Sequence, residues 1–199
     1  TAITDPQGVV EKHFLDSLLL LEEVPFKDGD TLIDVGTGAG FPGIPLAIVC
    51  PSLQVDLLDS LRKRVGFLQT VIDELGLENA AAYHDRAELF AKKPERRDHY
   101  DWATARAVAR LPLLSEYCLP FVKVGGCFIA YKGPDCEEEL IAAENAIDLL
   151  GGSISRRENF ASVGISENSG SKLVFVSKIK PVMSKFPRKP GTPSKEPIK

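Results

Sequence analysis

Apolar residues recur at helical spacing in the first stretch of the chain, as far as Glu23. The apolar positions are Val10, Phe14, Leu18 and Leu21. Pro6 follows Asp5, and a helix commonly begins with a proline just after a capping residue such as Thr4 or Asp5. We therefore predict that residues 1–30 form a helical segment whose apolar face packs on the rest of the protein.

From residue 31 to residue 180, apolar runs of strand length alternate with amphipathic segments. The five runs are Thr31–Val35, Leu53–Leu58, Asn79–Tyr83, Tyr100–Ala105 and Cys127–Lys132. Helices are predicted at 42–49, at 61–75, after an opening at Asp85–Glu88, at 111–122, and from a cap at Asp135 to Leu150. Two last runs, Ser153–Phe160 and Lys172–Ile179, flank residues rich in Ser, Gly and Asn. The order predicts an α/β fold with a mostly parallel seven-stranded sheet, helices on both faces and a C-terminal antiparallel hairpin.

A glycine-rich loop joins the first of these strands to the first helix. After Asp34, four glycines occupy eight residues, and the loop continues into Phe41-Pro42-Gly43-Ile44-Pro45. Glycines admit positive φ, and the helix that follows offers free N–H groups to a ligand.

The loop has two ligand interpretations. The segment Gly38–Gly43 fits the G-x-G-x-x-G dinucleotide pattern, with Asp59 as the ribose acid. An ionised Asp34 would instead repel a pyrophosphate and suit a cationic ligand such as S-adenosylmethionine. We favour the cationic ligand, while a loop without a ligand is the remaining alternative. The predicted loop contacts are Asp34, Gly36, Gly38, Gly40 and Phe41.

Two acids follow the next two strands. Asp59 ends the second strand, where a carboxylate can accept hydrogen bonds from two ribose hydroxyl groups. Glu88 opens the helix after the third strand, where its carboxylate and the nearby backbone can meet an adenine edge. Because the carboxyl ends of parallel strands meet at one edge of a sheet, we predict that both acids face the glycine loop.

Arg106 ends the fourth strand at the same predicted edge. A strand-end arginine suits a carboxylate or phosphate clamp, and a buried ion pair is the alternative. His13, Asp16 and Ser17 share one side of the first helix, as either a packed hydrogen-bonded group or a catalytic one. The sequence offers no convincing general acid or base, so Arg106 is expected to position a reactant.

Basic residues gather in two places, although the net charge of the chain is −4. Arg62-Lys63-Arg64 opens a predicted helix near the ligand, either as a solvated face or as phosphate contacts. From Lys178 onward there are seven basic residues and one acidic residue. The proline-rich segment 181–199 has no apolar period and predicts an extended or partly disordered basic tail. The predicted RNA contacts are Arg62, Lys63, Arg64, Lys132, Lys185, Arg188 and Lys189.

Length and composition suit one cytoplasmic domain. The chain has 199 residues, 44% of them hydrophobic, and no apolar run long enough to span a membrane. Four cysteines form no C-x-x-C pair, so we expect reduced structural thiols and no metal site. We also expect the protein to be a monomer.

Together these motifs resemble the glucose-inhibited division protein B family. Members usually carry a further helical stretch ahead of the Thr-Ala-Ile segment, which leaves truncation of this chain open. The resembling segments are Thr1-Ala2-Ile3, Asp5-Pro6, His13–Leu18, Asp34–Pro45, Leu58–Leu61, Lys63-Arg64, Arg86–Glu88, Ala105–Ala107, Lys132-Gly133 and Phe186–Pro193.

The resemblance implies a Rossmann-like class I methyltransferase. Such an enzyme would move a methyl group from S-adenosylmethionine to N7 of a guanine in the 530 loop of 16S ribosomal RNA, either as free RNA or in the small ribosomal subunit. Guanine N7 has a lone pair and no proton at neutral pH, so this reaction needs no general base. A nicotinamide-dependent oxidoreductase is the alternative function, and an RNA-binding module without a cofactor would leave the loop unexplained. The resemblance assigns Gly36 and Phe41 to the loop contacts, Asp59, Ser60 and Leu61 to the ribose, Ala87 and Glu88 to the adenine, and Arg106 to the junction of cofactor and substrate.

Overall fold

One seven-stranded sheet organises the structure, a computed structural model that describes residues 5–159 and 172–199, without the side chains of 156–159. The strand order is β3-β2-β1-β4-β5-β7-β6. Strands β1 to β5 run parallel, and β7 is antiparallel to both β5 and β6. The predicted fold is thus confirmed. The strands are β1 (Thr31–Val35), β2 (Gln54–Asp59), β3 (Ala80–His84), β4 (Tyr100–Arg106), β5 (Val122–Lys132), β6 (Gly152–Asn159) and β7 (Lys172–Lys178).

The helices cover both faces of this sheet, where they bury two hydrophobic clusters. The strand order reverses between β1 and β4, which is the place where parallel α/β sheets open a crevice for ligands. The helices are α1 (Pro6–Val9), a π-helical segment (Val10–Leu15), α2 (Asp16–Leu18), α3 (Leu20–Glu23), α4 (Gly43–Val49), α5 (Arg62–Leu75), α6 (Ala87–Phe90), α7 (Leu111–Cys118), α8 (Glu137–Leu149) and α9 (Thr192–Lys195).

The N-terminal segment is helical but does not bury the predicted face. Asp5 caps α1 by accepting a hydrogen bond from Gly8 N–H, whereas Thr4 lies outside the described residues. The π-helical segment, with its wider i→i+5 turn, interrupts the 3.6-residue period. The apolar positions along this segment and beyond it therefore do not share one face. Val10, Phe14 and Leu21 are exposed, and the buried side chains are Asp16, Ser17, Leu19 and Leu20.

The connection from α7 to β5 also differs from the prediction. Helix α7 ends at Cys118 instead of Val122, because Pro120 cannot continue a helix. Val122 already pairs with Tyr100, and β5 passes through Gly125 and Gly126 at an irregularity in its pairing with β4. A Cβ on Gly126 would lie only 2.5 Å from the carbonyl oxygen of Asp101, so this glycine permits the strands to approach.

Two predicted helix starts are shifted by one or two residues. Helix α6 begins at Ala87 with Arg86 as its N-cap, and α8 begins at Glu137 with Cys136 as its N-cap. Asp135 is therefore not the cap. Phe160 and the turn predicted between the last two strands lie outside the described residues.

The tail from Pro181 onward is docked rather than loose. Val182, Phe186 and Pro193 are buried against the body. The Arg97 guanidinium donates to the carbonyl oxygens of Val182 and Phe186. The buried tail residues are spaced irregularly, so a periodic pattern could not have predicted their burial.

Candidate functional site

The glycine loop adopts a backbone that requires glycine. Gly36, Gly38 and Gly40 have φ of 71°, 63° and 96°. A Cβ on Gly43 would collide with Leu57 of β2, so this glycine lets α4 lie directly on the sheet. A Cβ on Gly40 would press on Ile44 and Leu68. Gly40 is itself buried and has a packing role, and its ligand contact stays a prediction.

Asp34 lies behind the loop, and its side chain is fully buried. Its buried carboxylate accepts hydrogen bonds from Thr37 Oγ1 (2.6 Å) and Gly43 N–H (3.1 Å) on one oxygen, and from Thr104 Oγ1 (3.2 Å) on the other. Burial raises the pKa of Asp34 to about 6, although these hydrogen bonds act to lower it. Protein groups donate to both oxygens, and the predicted ligand contact of Asp34 stays a prediction. Asp34 orders the loop from behind.

Asp59 lies at the edge of a narrow cleft of about 140 Å³. One of its oxygens accepts from Leu61 N–H (2.8 Å), and the other accepts from Gly38 N–H (3.0 Å) and from Arg64 (3.2 Å). Arg64 is 53% exposed, so a ligand can displace it without disturbing the core. Ser60 also lines the cleft, whereas Leu61 contributes its backbone N–H and exposes its side chain.

Glu88 and Ala87 line the same cleft from α6. The Glu88 carboxylate accepts hydrogen bonds from Gly191 N–H of the tail (3.0 Å) and from Arg86 (3.1 Å). Burial acts to raise the pKa of Glu88, but these hydrogen bonds outweigh it and the pKa lies below its usual value. The carboxylate is therefore ionised at neutral pH and ready to accept a further hydrogen bond.

A larger pocket of about 630 Å³ lies on the other side of Gly36. Gly36 lines both cavities, so they adjoin at the glycine loop. The volume falls within the range of roughly 300–1,000 Å³ that is usual for ligand sites. The lining side chains come from the loop, from the N-terminal segment, from α5 and from the end of β4: His13, Thr37, Ala39, Phe41, Lys63, Arg64, Phe67, Arg106 and Ala107.

Arg106 has features of both predicted roles, the ion pair and the clamp for a carboxylate or phosphate. Its guanidinium is paired with Asp16 (3.1 Å) and lies 5.3 Å from the centre of the Phe41 ring, yet it also lines the larger pocket. Asp16 Oδ1 is buried without a hydrogen-bond partner among the described residues. One edge of this ion pair therefore has unused hydrogen-bonding capacity.

His13 and Ser17 complete this packed group. Ser17 Oγ donates to the His13 carbonyl oxygen (2.5 Å), and the His13 ring stacks on Phe41 (5.2 Å). Burial and the charge of Arg106 lower the pKa of His13. These contacts favour the packed hydrogen-bonded interpretation over a catalytic one.

Comparison with known families decides what kind of protein has this site. The family model described as rRNA small subunit methyltransferase G (GidB) matches residues 1–163. The chain belongs to the rRNA small subunit methyltransferase G family. This confirms the resemblance noted from the motifs and decides against the nicotinamide alternative.

Relatives and solved structures agree with the family assignment. The methyltransferase G of Halalkalibacterium halodurans is 52% identical over 198 residues, and that of Alkaliphilus metalliredigens is 53% identical over 199 residues. Both alignments cover 100% of this chain and 82% of the relative. A SAM-dependent methyltransferase from Aquifex aeolicus is similar with a TM-score of 0.65 at 21% identity, over 88% of this chain and 94% of that one. At that identity the likeness shows the fold alone.

In this member of the methyltransferase G family, the predicted RNA cations fall into two groups. Arg62, Lys63, Arg64, Lys185 and Lys189 are exposed. Lys132 and Arg188 are instead held by buried or half-buried acids, and their RNA contacts stay predictions. Lys132 pairs with Glu139 and donates to the Ala109 carbonyl oxygen, and Arg188 forms a bidentate pair with Glu116.

Several lining residues were missed from the sequence. Val108 and Tyr117 line the narrow cleft, but neither stands in a recognisable motif. Phe67 lines the larger pocket, and it did give a signal because it falls outside the apolar face of α5. The sequence gave no signal for the contact between the Gly191 N–H of the tail and Glu88.

Within the described ranges, no group of His, Cys, Asp or Glu side chains could hold a metal ion. All four cysteines are free thiols. No helix of residues 5–159 and 172–199 has the length and apolar character needed to cross a membrane.

Proposed function

We propose that this protein transfers a methyl group from S-adenosylmethionine to N7 of a guanine in the 530 loop of 16S ribosomal RNA. Family membership gives the coarser statement, S-adenosylmethionine-dependent methylation of small-subunit rRNA. The base atom and the loop are what the proposal adds. The observation that carries it is the pairing of a narrow acidic cleft with a larger cationic pocket at the glycine loop.

The residues present fit the cofactor. Asp59 would hold the ribose, since one oxygen has a free lone pair and the other is partnered by the displaceable Arg64. Glu88 and the backbone of Ala87 would meet the adenine edge. Gly36 and Gly38, with no side chain in the way, would let the methionine part pass between the two cavities.

The reaction requires alignment of the two reactants and no proton transfer. S-adenosylmethionine supplies a methyl group on a sulfonium, and guanine N7 attacks through a lone pair that carries no proton. The protein therefore has to hold two reactants in line, which can lower a barrier by several kcal/mol. Arg106, fixed by Asp16 and Phe41 at the rim of the larger pocket, would orient the methionine carboxylate or the guanine edge.

Labelled S-adenosylmethionine and small subunits that lack the modification test the proposal. We expect label in 16S rRNA, and strand scission at one guanine of the 530 loop after borohydride and aniline treatment, which cleaves at N7-methylguanine. Free 16S rRNA is assayed in parallel to identify the substrate form. Label at another loop, or label without scission, would contradict the proposed position.

A further inference from the structure

An exposed aromatic side chain stands at the rim of the larger pocket. Phe67 is 53% exposed and lines this pocket with Lys63 and Arg64, which lie one turn earlier on the same face of α5. The buried side of this helix is formed by Leu68 and Ile72. Packing in the core therefore does not explain the position of Phe67.

The other phenylalanine of the pocket is already occupied. The Phe41 ring stacks on His13, meets Phe14 edge-on at 5.1 Å and lies under Arg106. In the described part of the chain, no ring or cation lies against Phe67. With about half of the residue exposed as well, the Phe67 ring is accessible to a ligand.

We propose that Phe67 is the stacking platform for an unpaired base of the substrate RNA; this rests on the proposed function. Proteins that recognise RNA sequence commonly bind unpaired, unstacked bases and receive them on aromatic rings. Lys63 and Arg64 stand where they can hold the adjoining phosphates. Base and phosphate recognition are thus combined on one helix face.

The surroundings favour RNA over a protein partner. A single ring flanked by two cations offers little apolar area, far below that of a stable protein interface. The cations match a polyanion. The glycine loop lies in the same pocket, so a base stacked here is near the place where methyl transfer must occur.

The experiment compares Phe67→Ala, Phe67→Leu and Phe67→Trp with the wild type. RNA affinity, the KM for RNA and the affinity for S-adenosylhomocysteine are measured. We expect Ala and Leu to weaken RNA binding and raise KM about tenfold, and Trp to stay within about twofold, because stacking needs an aromatic face. The affinity for S-adenosylhomocysteine and the salt dependence of RNA binding should not change.

Two control variants sharpen the result. Leu75→Ala removes an equally exposed side chain about 12 Å further along α5 and should change nothing. Lys63→Gln should instead lower the slope of log affinity against log salt by about 0.7, because it removes one phosphate contact to a single strand.

Three results would overturn the stacking role: unchanged RNA affinity in Phe67→Ala, wild-type affinity in Phe67→Leu, or an equal loss of S-adenosylhomocysteine affinity. If the wild type methylates no rRNA, the proposed function fails by itself. RNA affinity would still decide whether Phe67 stacks a base, since that measurement needs no turnover.

Discussion

At the scale of single residues, the buried carboxyl group of Asp34 makes stability depend on pH. Burial raises its pKa from 3.8 to about 6, so between these values the folded protein keeps a proton that the unfolded chain releases. The stabilisation is complete below pH 3.8 and is lost as the pH rises through 6.

Replacing Asp34 with Asn removes this titration. The free energy of unfolding of the wild type, relative to Asp34→Asn, should fall by up to about 3 kcal/mol between pH 4 and pH 7. Urea unfolding at several pH values measures the difference, in which the other titrating groups cancel. Parallel pH curves for the two proteins would show that Asp34 does not titrate in this range.

Asp59 carries the second prediction at this scale. We expect Asp59→Ala to weaken S-adenosylhomocysteine binding at least tenfold, since hydrogen bonds to a charged acceptor contribute about 1.5–3 kcal/mol each. Calorimetry gives the affinity, and Asp73→Ala, on the exposed face of α5, is the control. If Asp59→Ala binds the nucleoside like the wild type, another group holds the ribose.

At the scale of elements, the docked tail contacts the side of the narrow cleft where Glu88 lies. Glu116 of α7 holds Arg188, and three residues later the Gly191 N–H holds Glu88. We expect Glu116→Gln to lower the free energy of unfolding by about 1–3 kcal/mol and to weaken S-adenosylhomocysteine binding, because Glu88 loses a fixed partner. Glu138→Gln, at an exposed position of α8, is the matched control. A loss of stability without a loss of affinity would limit the tail to a structural role.

The elements also show what the sequence could predict. The inner strands are continuous apolar runs flanked by turns, and the placement of Asp59 at the end of β2 and of Glu88 at the start of α6 follows from their position. The π-helical segment was not predicted, since the apolar spacing in the sequence indicates a regular helix of 3.6 residues per turn. The partners of Lys132 and Arg188 were missed because Glu139 and Glu116 come from other elements.

At the scale of the whole molecule, charge is divided about the glycine loop. Asp59, Asp85 and Glu88 line the narrow cleft together with one cation, Arg86, while Lys63, Arg64 and Arg106 line the larger pocket. The chain as a whole is acidic, so a local field, and not the net charge, must attract the RNA. Only one ion pair, Arg64 with Asp59, crosses this division among the described residues of the two cavities.

That ion pair has a thermodynamic consequence. Under the proposed function, a ribose on Asp59 would displace Arg64 and free its guanidinium for a phosphate, so nucleoside and RNA should each tighten the binding of the other by the same factor. We expect S-adenosylhomocysteine to raise RNA affinity severalfold in the wild type and to have no such effect in Arg64→Gln. Equal enhancement in both proteins would contradict this linkage. Because the product nucleoside keeps its ribose, methylated RNA would leave severalfold more slowly while that nucleoside is bound, so one salt bridge would favour release of the nucleoside before the RNA.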